Sequence, residues 1–107
     1  MDDNNNLKGK TEPKSLEAEK AVLGCMLIDK ESVAKALEDL DPSFFYDKNN
    51  EIIFLTMKNL FNANQIIDSL SLSEALKKKK NLKKVGGAYY ITGLANDAPS
   101  TGNVEYY

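Results

Sequence analysis

Apolar residues recur at helical spacing along most of this chain, separated by short polar breaks. Leu16, Ala18, Val22, Leu23, Met26 and Leu27 predict a first helix. Its apolar stripe widens toward the C-terminal end and takes in Ile28. Ser15 is its expected N-cap, with Glu17 and Glu19 in the first turn, where the helix dipole favours negative charge. Gly24 costs about 1 kcal/mol against Ala inside a helix, and such a glycine marks a place where another helix comes close. Asp29 then caps a second helix, from about Lys30 to Leu40, with Val33, Ala36, Leu37 and Leu40 inward.

Asp41-Pro42 restarts the chain, because Asp caps well and Pro is favoured at the first helical position. Ser43-Phe44-Phe45-Tyr46 follows as a short turn with aromatic anchors. A longer helix runs from about Lys48 to Ala63, with Ile53, Met57, Leu60 and Phe61 at i, i+4, i+7 and i+8, and Ile52 and Phe54 broadening that face. Ile66 and Ile67 make a short extended connection. Ser71-Leu72-Ser73-Glu74 has the S-x-x-E pattern of a capping box and opens a helix with Leu72, Ala75 and Leu76 inward. Asn81 to Val85 is a turn that contributes Leu82 and Val85. Gly86-Gly87 then permits positive φ or tight packing before a helix over Ala88–Asn96. Ile91, Leu94 and Ala95 share one face of that helix, with Tyr90 beside it. Ala98-Pro99 ends it, and 103–107 begins a segment of helical composition. No stretch demands a β-strand. The expected fold is all-α, a compact orthogonal bundle of about six short helices.

Composition changes this picture mainly by exclusion. The 107 residues suffice for one core. A net charge of -2 creates no global field toward nucleic acid or membrane. Every cation is Lys, so bidentate guanidinium forks are unavailable. With one Cys and no His, an internal disulfide framework and histidine-based catalysis are excluded, and a zinc site is disfavoured. No apolar run approaches the ~20 residues that span a bilayer. The N-terminal sequence is not a secretory signal, so a reduced, cytoplasmic protein is expected. Residues 1–14 are polar and are expected to form a disordered tail.

Candidate chemistry is sparse. Gly86-Gly87 lacks the flanking strand and lysine of a phosphate loop, and a turn between helices accounts for it better. Lys77, Lys78, Lys79, Lys80, Lys83 and Lys84 form one dense basic patch. Cations complement a helix C-terminus, and weak phosphate contact is the functional alternative. Asp2-Asp3, Glu17/Glu19 and Glu38-Asp39 are expected at exposed or capping positions. Cys25 is expected to be a small buried thiol, with nothing nearby to activate it. No catalytic, cofactor-binding or metal-ligating residue is expected, and the residues alone point to a helical interaction domain.

PKSLEAEKAVLGCMLID, DPSFFYDKNNEIIF, IIDSLSLSEAL and KKVGGAYYITGLANDAPSTGNVEYY occur in this order. Together they resemble the N-terminal domain of DnaB-type bacterial replicative DNA helicases, from about Pro13 to Tyr107. The resemblance implies an all-α head, followed in the family by a helical hairpin, a linker and a RecA-like ATPase domain. It implies a hexameric ring whose collar is a trimer of dimers. The implied partners are other copies of the chain, primase, a helicase loader, and DNA through the parent ring, with no membrane. ATP and Mg are implied only for the absent ATPase domain, and no cofactor for this chain, which is expected to be a domain fragment with 15–107 as the collar domain. Gly24, Gly86, Gly87 and Pro99 match structural positions of the family. Val104, Tyr106 and Tyr107 begin the helix that leads into the pairing hairpin, which makes them candidate assembly contacts. The rival readings are the helicase-binding domain of a primase and a small basic DNA-binding module.

Overall fold

The computed structural model describes residues 13–99. Among them are five α-helices and one 3₁₀ turn, and no strand: α1 (Pro13–Ile28), α2 (Lys30–Asp39), the turn Pro42–Phe44, α3 (Lys48–Asn62), α4 (Ser69–Lys78) and α5 (Gly87–Asn96). The expected all-α bundle is present. The count of about six comes down to five because the aromatic turn is a single 3₁₀ turn. Val104, Tyr106 and Tyr107 lie outside the described residues.

Helix α1 starts at Pro13, so Ser15 lies within it and does not cap it. Proline suits the first helical position, where its missing N–H costs nothing. The earlier start moves Glu17 and Glu19 out of the first turn. Val22, Leu23, Cys25, Met26 and Leu27 are buried, so α1 runs through the centre of the domain and packs within it. Leu16 and Ile28, expected in the stripe, are exposed at its two ends.

Asp41 holds the 3₁₀ turn by accepting from the Ser43 N–H at 3.3 Å, as the Asp-Pro pair implies. Phe45 then enters the core against Phe54, with ring centroids 4.7 Å apart. Asp47 caps α3 by accepting from the Asn50 N–H at 2.9 Å. Ile53, Phe54 and Met57 are buried, and Leu60 packs at the edge of the core. Phe61, expected inward, is 43% exposed, while its neighbour Leu60 takes the inward position in the final turn of α3.

The capping box lies one turn earlier than the S-x-x-E pattern suggests. Asp68 accepts from the Ser71 N–H at 2.8 Å, and the Ser71 hydroxyl accepts from the Asp68 N–H at 3.0 Å. Both partners therefore satisfy orphan donors at the start of α4. Donation to the Asp68 carboxylate, first by the Ser71 backbone N–H and then by the Ser71 side chain, holds that carboxyl below its ordinary value.

Three successive stops use one backbone geometry. After α3, Asn64 has φ +58°, its N–H reaches Phe61 O, and the Gln65 N–H reaches Leu60 O. After α4, Lys80 has φ +62°, with its N–H on Lys77 O and the Asn81 N–H on Leu76 O. After the turn over 82–85, Gly86 has φ +116°, with its N–H on Lys83 O and the Gly87 N–H on Leu82 O. Each is a Schellman closure that satisfies helix-end carbonyls. Gly and Asn suit the left-handed residue, whereas Lys80 adopts it at a cost of about 1–2 kcal/mol.

Candidate protein-interaction site

Glu19 is 1% exposed and lies at the centre of a buried polar network. Its carboxylate accepts from the Tyr46 N–H at 2.8 Å, the Asp47 N–H at 3.4 Å and the Asn50 side-chain amide at 3.0 Å. Asn50 is fully buried, and its Oδ1 accepts from the Tyr90 hydroxyl at 2.7 Å. One chain of hydrogen bonds thus ties α1 to the start of α3 and to α5. This corrects the expectation of an exposed or capping Glu19. A buried carboxyl is tolerable only when its lone pairs are satisfied, and three donors do so here. Burial, followed by the charge of Asp47, raises the Tyr90 phenol above its ordinary value, although its bond to Asn50 acts the other way.

The network fixes Tyr90, and Tyr89 beside it points outward, 91% exposed. The two tyrosines, with Glu17 and Lys20 of α1 and Thr92 and Asp97, line an open groove between α1 and α5. Gly24 lets these helices meet backbone to backbone. A Cβ there would collide with the Leu94 carbonyl oxygen and lie 3.0 Å from Ala98 Cβ. Gly86 also has a turn role, since a Cβ on it would come within 2.8 Å of Tyr90 Cβ. Cys25 is buried, and its thiol donates weakly to Pro99 O at 3.8 Å. Burial, then the nearby Asp29 charge, raises its pKa and keeps it a protonated, structural thiol.

The lysines gather around one end of α4. Lys77, Lys78, Lys79, Lys80, Lys83 and Lys84 are all exposed around the α4 C-terminus and the turn after it. No ion pair engages them among the described residues. Ile66 (73% exposed) and Leu70 (69% exposed) add apolar surface at the opposite end of α4. No described helix is long and apolar enough to cross a membrane. The arrangement offers apolar, aromatic and cationic surfaces for binding.

Sequence reasoning found the close approach at Gly24 and the exposed lysines but missed Glu19 and Asn50. A signal was available, since Glu19, Val22, Leu23 and Met26 are at i, i+3, i+4 and i+7, which puts the acid on the buried face.

Comparison with known proteins points one way. Residues 11–107 match the model of the "DnaB-like helicase N terminal domain" family. The replicative DNA helicase DnaB of Treponema pallidum is 44% identical over 101 residues, covering 94% of this chain and 23% of that protein. The Rhodothermus marinus DnaB is 38% identical over 99 residues, covering 92% of this chain and 10% of that protein. The chain therefore spans less than a quarter of the length of these relatives. Among solved structures, the N-terminal domain of DnaB helicase from Mycobacterium tuberculosis superposes with a TM-score of 0.82 at 32% identity, over 86% of this chain and 67% of that one. Fold and sequence agree over nearly the whole chain, which belongs to the family of DnaB-like helicase N-terminal domains.

Proposed function

We propose that this chain is the collar domain of a hexameric replicative DNA helicase, where it pairs with other copies of itself and receives primase. One observation carries the reading: the likeness to a helicase N-terminal domain runs through sequence and fold together, with a TM-score of 0.82. ATP-driven unwinding, with its ATP and Mg, belongs on this reading to a separate ATPase domain of the parent protein. A helicase loader is a further candidate partner, and DNA is engaged through the parent ring. Family membership favours this reading over the helicase-binding domain of a primase.

Two measurements test it. The purified chain should show no DNA-stimulated ATP hydrolysis, because it carries no phosphate-loop motif. In sedimentation, the chain should self-associate weakly, and a version extended through the following hairpin should associate more strongly. Short terminal helices are marginal alone, and a head-to-head contact below about 1,000 Å² does not make a stable dimer. ATPase activity in the pure chain, or equal monomeric behaviour of both versions, would overturn the proposal.

A further inference from the structure

Helices α3 and α4 leave a second groove of about 330 Å³, which shares no lining residue with the groove beside Tyr89. Ile52, Leu55 and Leu60 of α3 and the small Ala75 of α4 form its apolar floor. Thr56, whose hydroxyl donates to Ile52 O at 2.8 Å, Asn59 and Asn81 make its polar rim. Lys79 stands at one end, inside the run of exposed lysines.

We propose that this groove binds an acidic amphipathic helical segment of a partner protein, with its apolar side chains on the floor and its carboxylates on the lysine run. From Ile52 to Leu60, α3 runs for about 12 Å, which matches two turns of a docked helix with anchors at i, i+3 or i+4, and i+7. A lysine can lay its stem along apolar surface and keep its ammonium free for a carboxylate. The charge is complementary and local. Lys79 is the cation that lines the groove, Lys48 and Lys58 are the cations of α3, and Glu51 on α3 and Glu74 on α4 are the opposing acids of the two helices. At physiological salt the field reaches about 8 Å, so a docked segment feels these lysines more than the net charge of the chain.

Nucleic acid fits the surface less well. No aromatic side chain lines the groove for base stacking, and the chain has no arginine to fork onto phosphates. This inference rests on the groove itself and stands apart from the collar reading.

Fluorescence anisotropy tests the proposal on the intact chain with three labelled probes. The first is a helix-forming peptide with Leu at i, i+3, i+4 and i+7 and Glu on its flanks. The second has its leucines replaced by serine, and the third is oligo-dT of equal charge. The leucine peptide should bind saturably, at least about ten-fold more tightly than either control. Leu55→Ser and Lys79→Glu should each weaken it by about ten-fold or more, with the melting temperature held. No saturable binding up to about 1 mM would overturn the proposal. So would equal binding of the serine peptide, or oligo-dT binding that survives Leu55→Ser.

Discussion

Where α1 meets α5, the domain is built from backbone contact and buried polar bonds. Along α3 and α4, it presents a second groove with exposed aliphatic side chains and exposed lysines. At the first region, Gly24 removes a side chain so that one helix can rest on the Leu94 carbonyl, and Glu19 joins three helices through Asn50 and Tyr90. At the second, Leu72 and Leu76 of α4 are buried while Leu55 and Lys79 stay exposed. At Gly24 and Glu19, the first region leaves little freedom to substitute. The largest expected effect is therefore at Gly24. Gly24→Leu gains about 1 kcal/mol in helix propensity but drives atoms into backbone, which is expected to cost about 3 kcal/mol or more overall. Thermal unfolding would register this as a fall of about 12 °C or more. A variant that melts at or above the parent temperature would show that α1 and α5 do not touch at this point.

Glu19 comes next. Glu19→Ala leaves the Asn50 amide and two backbone N–H groups without an acceptor, and each buried orphan costs about 1–3 kcal/mol. We expect a loss of about 3 kcal/mol by chemical denaturation. Glu19→Gln keeps one acceptor oxygen and should recover part of that loss. Equal stabilities for both variants would mean that packing, not hydrogen bonding, sets the value of this position.

The contrast between regions also marks what the sequence discloses. Helical spacing identifies Val22, Leu23, Ile53, Met57, Leu72 and Ile91 as core, because burial on one face is a local, periodic property. Gly24 is legible because a glycine inside an apolar helix sacrifices both helix propensity and buried area, a double cost that close approach of a second backbone offsets. Glu19 is hidden by an ambiguity of phase. An acid ahead of an apolar run looks like a first-turn residue until the helix is known to start at Pro13. Its partner Asn50 lies 31 residues away, and no local rule links the two. The capping box is misplaced for a related reason. Asp68-x-x-Ser71 and Ser71-x-x-Glu74 overlap, and the earlier pair closes both hydrogen bonds. Phe61 is a phase ambiguity too, since Leu60 and Phe61 both continue the stripe in sequence and only Leu60 turns inward.

At the start of α4, Asp68→Ala should cost about 1 kcal/mol, the ordinary worth of an N-cap. The pH dependence has a definite sign. The Asp68 carboxyl titrates below its ordinary value in the folded chain, through its bonds to Ser71. Its contribution is therefore present above about pH 4, the unfolded value, and lost as the pH falls through the folded one. The difference in stability between parent and Asp68→Ala should shrink across that acidic range. A difference that stays constant down to about pH 2 would separate the cap from the ionisation of Asp68.

The smallest expected effect sharpens the comparison most. Ile66→Ser and Leu70→Ser remove large apolar side chains, which in a core would cost several kcal/mol. Here both side chains already face water, at 73% and 69% exposure, so little apolar area returns to solvent on unfolding. Each variant should unfold within about 0.5 kcal/mol of the parent. The Ser71 hydroxyl, which donates to Ile66 O, is untouched, so the turn into α4 keeps its geometry. Solubility should rise or stay level, because fewer apolar groups meet water. A loss above about 1 kcal/mol in dilute protein would show that these side chains pack in solution, and the two regions would then differ in degree rather than in kind. A loss seen only at high protein concentration would instead place Ile66 and Leu70 in a contact between copies, because an interface stabilises the folded chain by mass action.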